Sequence, residues 1–172
     1  RQLRSAEESD VHVRALLQAI GKMPPVVLGL HSDVLVEWVG DADYRVRGAA
    51  VDALANLRPS DLAVHASTLI KLAEDPDKTV RAAVIRALGL LSPTDLAEQG
   101  PSLILMLSNT HWTVRQTATQ VFDLLPAEAL VAHVPTLIKQ LEDPDPDVCK
   151  TTVNVLGRLE AHLLAEHAAA LV

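Results

Sequence analysis

His31, His65, His133 and His167 recur at multiples of 34 residues, with Gln99 filling the vacant step. Regularly spaced imidazoles are raw material for a metal centre. If each belongs to one unit of a helical stack, however, neighbours lie about 10 Å apart, whereas a zinc–imidazole bond is about 2 Å. Adjacent members cannot share an ion, and a polar position near the start of a helix accounts for the column better. In "HLLAEH", His162 and Glu166 share a helical face, with His167 beside them. The His-Glu-x-x-His signature needs two histidines four apart, which this stretch lacks. The glycines are isolated, so no phosphate-cradling loop is present, and there is no G-x-S-x-G nucleophile turn. Cys149, the only cysteine, falls near a helix start, where the dipole lowers thiol pKa values. A plain substitution in a variable repeat explains it more simply. No catalytic residue, cofactor site or metal site is therefore assigned, and the chain is expected not to be an enzyme.

The elements that carry these residues follow from a strict period. Val46, Val80, Val114 and Val148 are spaced by 34 residues. The same step links Leu54, Leu88, Phe122 and Leu156; Leu57, Leu91, Leu125 and Leu159; Leu62, Leu96, Leu130 and Leu164; and Leu69, Leu103, Leu137 and Leu171. Ala19, Ile20, Met23, Pro25 and Leu28 continue the register upstream, where "VHVR" fits best with one residue dropped. A fixed period of this length marks a repeat architecture.

Within a unit, Val80, Ala83, Val84, Ala87, Leu88 and Leu91 fall at steps of three and four, which predicts a helix B with one buried face. Asp43, Asp77 and Asp145 precede this helix in three units and can accept bonds from its free amides. Pro146 suits the first helical position. Helix A is carried by Leu69, Ile70 and Ala73, and by Leu137, Ile138 and Leu141. Pro101 and Pro135 start or kink it after a short helical turn such as "PSDLAVH" or "PTDLAEQ". Pro59 and Pro93 stop helix B from continuing. Two antiparallel helices cannot bury an apolar face alone, but stacked copies share one core. The expected fold is all-α, a right-handed α-solenoid of about 4 to 5 such pairs. The approximate units are 1–30, 31–64, 65–98, 99–132 and 133–166, with a partial 167–172, in one domain 1–172 expected to be a fragment of a longer array.

These columns resemble the HEAT repeats of the armadillo-like superfamily. The match is an Asp in the turn and Val-Arg opening helix B: Asp41 with Val46-Arg47, Asp75 with Val80-Arg81, and the variant Asn109 with Val114-Arg115. The resemblance implies a hydrogen-bonded ladder between repeats through Asp41, Arg47, Asp75, Arg81, Asn109 and Arg115. Cys149 stands where the last Arg is expected, so the ladder is not expected to include the last unit. Tetratricopeptide repeats share the period, but their aromatic positions are not met, since aromatics are only 2% of the chain.

Composition narrows the partner. With 22 acidic against 15 basic residues and a net charge of -7, the chain lacks the cationic excess that nucleic-acid binding requires. A single cysteine fits a reducing, intracellular and cytoplasmic setting. Runs such as "LILML" are far too short to cross a bilayer. The family resemblance also reaches bilin lyases and certain DNA glycosylases. On the outward positions of helix B, however, Arg45, Lys78, Arg86, Lys150 and Arg158 stand against Asp52, Asp123 and Asp147, too diluted for DNA. A bilin-lyase type of cofactor handling has only the fold in its favour, and a spacer role in a large assembly is the other alternative. The expected function is a scaffold presenting a concave helical surface to a protein or peptide.

Its contact residues should lie in columns that vary while staying exposed. The column before helix B reads Tyr44, Lys78, Trp112 and Pro146, flanked by Arg45 and His111, and exposed aromatics and arginines are frequent interface anchors. Arg86, Gln116, Gln120, Lys150, Asn154 and Arg158 continue that face. Two alternatives stay open for Tyr44 and Trp112: an exposed ridge, or side chains folded back as core. Trp38 reads as core.

Overall fold

The computed structural model describes residues 2–160, with side chains from residue 11 onward. Leu164, Leu171, His162, Glu166, His167 and the half repeat 167–172 lie outside the described residues. Every described element is helical. The chain forms two compact units, Arg1–Ser92 and Pro93–Val172.

In the first unit, α1 (Gln2–Gly21), α2 (Pro25–Gly29) and α3 (Ser32–Trp38) lead to α4 (Tyr44–Leu54), followed by α5 (Pro59–Ala63), α6 (Ala66–Leu72) and α7 (Lys78–Leu88). Helix α4 packs against α1, α3 and α7, and α6 against α7. The second unit runs α8 (Pro93–Ala97), α9 (Gly100–Leu107), α10 (Trp112–Phe122), α11 (Ala127–Leu130), α12 (Val134–Lys139) and α13 (Pro146–Leu156), with 3-10 turns at Val131–His133 and Gln140–Glu142. Helix α10 packs against α9 and α13, and α12 against α13.

The four B helices are α4, α7, α10 and α13, each 11 residues long. Three of them start after an acidic cap, while α10 starts after His111, whose side chain makes no cap bond. The Asp43 side chain accepts from Arg45 N, Asp77 from Thr79 N and Val80 N, and Asp145 from Asp147 N and Val148 N. Pro146 occupies the first turn of α13, where its missing N–H costs nothing. The repeating valines and leucines are buried in every described unit, from Val46 and Leu54 to Val148 and Leu159. Thr117, Thr119 and Thr152 are also buried. Each satisfies its hydroxyl on a carbonyl one turn back, Thr113 O, Arg115 O and Val148 O respectively.

The short helical turn expected before helix A is present as α5 and α8. Proline opens each of these pieces, because it cannot continue the preceding helix but fits a first turn. The ladder also reaches the last unit. Arg47 Nε and Nη2 donate to Asp75 at 2.7 and 2.9 Å. Arg115 does the same to Asp143 at 2.6 and 2.8 Å. In both pairs the arginine of one repeat grips the carboxylate of the next, so, contrary to expectation, the last unit is joined to the ladder although Cys149 stands in its arginine column. Its Sγ instead donates to Asp143 O at 3.1 Å, the carbonyl equivalent to those gripped by Arg47, Arg81 and Arg115 within their own turns.

The ladder carboxylates do a second job. Asp41, Asp75, Asn109 and Asp143 each accept the backbone N–H two residues on, closing the turn into helix B. Asn109 retains that role without a charge. Removing Asp75, whose side chain is 3% exposed against Arg47, strands a guanidinium and opens a turn. Asp75→Ala should cost about 3 kcal/mol, whereas Arg86→Ala, from an exposed pair with Asp52, should cost less than about 1 kcal/mol. Urea unfolding of the two variants checks the difference.

The bonds from Arg115 hold the Asp143 carboxyl below its ordinary range, against an opposing push from burial. A carboxylate whose folded pKa is depressed contributes stability above its unfolded value of about 3.9. That contribution is lost as pH falls through the folded value. Asp143→Asn should therefore lower the urea midpoint at neutral pH, and the gap from the parent should close progressively below about pH 4.

Candidate functional site

In the first unit, α1, α4 and α7 line an open groove of about 1080 Å³. The lining residues come from one face of each helix: Arg14, Leu17, Gln18 and Gly21 on α1; Tyr44, Arg45, Gly48, Ala49, Asp52 and Ala53 on α4; Lys78, Thr79, Ala82, Ala83 and Arg86 on α7. Steps of three and four put them on one side. Lys22, Met23 and Asn56 line it from the turns that follow α1 and α4, and Pro25 from the start of α2. The glycines and alanines leave room between the helices, and long polar side chains stand around them. A Cβ at Gly48 would meet nothing within 4 Å.

The groove's charge is opposite to that of the whole chain. Arg14, Lys22, Arg45, Lys78 and Arg86 line it against one carboxylate, Asp52, while the chain carries -7. Arg86 Nη2 donates to Asp52 Oδ1 at 2.9 Å, with both side chains more than half exposed (63% and 61%). Arg45 donates through Nε and Nη2 to Asp43 at 2.6–3.0 Å, and its guanidinium lies 5.9 Å from the Tyr44 ring centre. That pairing holds the Asp43 carboxyl below the usual carboxylate range.

Tyr44, Arg45, Lys78 and Arg86, expected from the sequence, therefore lie together in this groove. Tyr44 and Trp112 keep 44% and 45% of their surface in solvent, so neither is folded away. Trp38 is half-buried. In the second unit, His111 and Trp112 stand exposed at the start of α10, Gln116 and Gln120 are half-buried along it, and Lys150 and Asn154 are exposed on α13. Arg158 is tied down across the repeat, donating to Asp123 O and, at 2.7 Å, to Leu125 O.

Arg14, Gln18, Lys22 and Asn56 escaped the sequence reading. Dropping a residue from "VHVR" moves Arg14 into the ladder column, but α1 is unbroken from Gln2 to Gly21. In an unbroken register Arg14 falls in the column of Gly48, Ala82, Gln116 and Lys150, and it lines the groove. That unshifted spacing was the available signal.

The histidine column sits at the N-cap position of the second short helix: His31 before α3, His65 before α6, and His133 before α12, with Gln99 before α9. His133 packs edge-on against Phe122, with centroids 5.3 Å apart, and burial pushes its pKa down. No group of three or more His, Cys, Asp or Glu among the described residues could hold a metal ion.

The pattern of the HEAT repeats matches residues 32–123, and that of a single HEAT repeat matches 133–163. The chain belongs to the HEAT-repeat family. No curated protein matches this HEAT chain. Among solved structures, a designed armadillo repeat protein in complex with the peptide (KR)4 is 20% identical, with a TM-score of 0.59 over 92% of this chain and 80% of that one. A computationally designed armadillo repeat protein for modular peptide recognition is 22% identical, TM-score 0.59, over 96% and 83%. A homology model of the AP-3 complex gives a TM-score of 0.68 at 18% identity, over 95% of this chain and 30% of the other. At these identities the likeness shows the fold, an α-solenoid. No helix among the described residues of the HEAT chain is long and apolar enough to cross a membrane.

Gly48 lies mid-helix in α4, where glycine is entropically unfavourable. Because nothing crowds a Cβ there, Gly48→Ala should raise stability by about 0.5–1 kcal/mol, read as an increased urea midpoint at unchanged slope.

Proposed function

We propose that this HEAT chain is a non-enzymatic interaction scaffold whose first unit holds an extended segment of a partner protein in the α1–α4–α7 groove. The supporting observation is the groove itself, open to solvent, with small residues in its middle and long polar side chains around them. Such a surface offers little to a reacting group and much to a chain laid across it. Gln18 and Asn56 each carry both a donor and an acceptor for a backbone peptide group. Tyr44 supplies apolar area with a polar tip. A designed armadillo protein of similar fold is known with a bound peptide, which favours the same use of this fold here. In the second unit, His111, Trp112, Gln116, Gln120, Lys150, Asn154 and Arg158 form our proposed second contact surface, with Trp112 as its aromatic anchor.

Selection of a random peptide library on the folded protein tests the groove. Gly48→Trp, at a position where a Cβ would meet nothing within 4 Å, places a bulky ring in the middle of the groove. Peptides should be enriched on the parent and lost on Gly48→Trp, with the thermal midpoint of the variant within a few degrees of the parent. No enrichment, or equal enrichment on both proteins, would count against the groove as the binding site.

A further inference from the structure

Resting on that reading, we propose that the occupant of the first-unit groove is an acidic peptide segment, with aspartate or glutamate side chains paired to Arg14, Lys22, Lys78 and Arg86. The carrying observation is charge segregation. The chain as a whole is strongly acidic, yet five of its 15 lysines and arginines line this one groove against a single carboxylate. Cations gathered against small residues in a protein of net charge -7 attract a negative ligand at short range, where low-dielectric walls focus the field.

The ion pair already present fits exchange. Arg86 and Asp52 meet in the open, each more than half exposed, and such a pair is worth about 1 kcal/mol or less. A ligand carboxylate can take over the guanidinium at small cost and gain a bidentate partner. Size agrees as well. Three helices with axes about 10 Å apart span about 20 Å, which an extended chain rising about 3.3 Å per residue covers in about six residues.

A phosphate backbone is the other polyanion to consider, and the surroundings disfavour it. Asp43 and Asp77 cap α4 and α7 beside Tyr44 and Lys78, and Asp52 lies within the groove. These carboxylates interrupt a continuous cationic track, and the overall charge repels a long polyanion. Separate side-chain carboxylates can settle on separate cations between them. The sign is opposite to that of the (KR)4 peptide seen with the designed armadillo protein, so the similarity of fold carries no similarity of ligand.

Fluorescence anisotropy with labelled octapeptides (Asp-Glu)4, (Ser-Gln)4 and (Lys-Arg)4 and a single-stranded oligonucleotide decides the matter. We expect (Asp-Glu)4 to bind at least tenfold more tightly than the other three. Raising salt from about 50 to 300 mM should weaken it severalfold, as the Debye length shrinks. Lys78→Glu should weaken it about tenfold. That variant puts an acid in the first turn of α7, which helices tolerate well, so loss of binding is not loss of fold. Gly48→Trp should block it. Tightest binding by (Ser-Gln)4 or (Lys-Arg)4, still blocked by Gly48→Trp, overturns the acidic assignment and leaves the scaffold reading standing. Preference for the oligonucleotide overturns the assignment, as does (Asp-Glu)4 binding that ignores Lys78→Glu. If none of the four probes binds, the acidic assignment falls, and the scaffold reading is decided by the peptide-library selection alone.

Discussion

Asp75 and Asp143 each close a turn and join two repeats with a single carboxylate. Asp75 accepts the amide that closes its own turn and, with its other capacity, the guanidinium of Arg47 from the repeat before. Asp143 repeats the arrangement with Arg115. Within each of these two pairs, local turn geometry and repeat-to-repeat spacing are set by the same side chain, which holds α4 in register with α7 and α10 with α13. The part of the groove shared by α4 and α7 depends on that register, since a slip of one residue would rotate lining side chains about 100° around the helix.

The division of labour between buried and exposed columns follows. Valine and leucine columns repeat faithfully because each faces the same aliphatic surroundings, with aromatics at only 2% of the chain and interiors packed too closely for variation in volume. The exposed face of the B helices is free of that constraint. Position 48 and its equivalents read Arg14, Gly48, Ala82, Gln116 and Lys150, a range no core column tolerates. Variation is concentrated in such columns, over a frame that does not change.

Most of the architecture was legible in the sequence because it is periodic. The caps at Asp43, Asp77 and Asp145 and the buried columns follow from spacing alone. The short helix before helix A was legible only as a helical turn, since "PSDLA" is too short for a periodic signal. The ladder's extent was misjudged at Cys149 because a missing donor says nothing about the acceptor in the same unit. The site was half legible. Tyr44, Arg45, Lys78 and Arg86 stood out as variable positions, but Arg14 and Lys22 belong to a repeat whose sequence has drifted, and only the unbroken helix fixed their register. Gly48 carried no message as a residue type. Its meaning comes from the empty space beside it.

The reach of the bonds bears on how the chain acquires its structure. Caps and turns close within two to six residues, and the described side-chain bonds between neighbouring repeats span 28–35 residues. Contacts so local close small loops at modest entropic cost, which favours rapid assembly. They also let one repeat open while its neighbours hold. In such a chain each repeat is held chiefly by its immediate neighbours, so a disturbance at one need not spread to the rest.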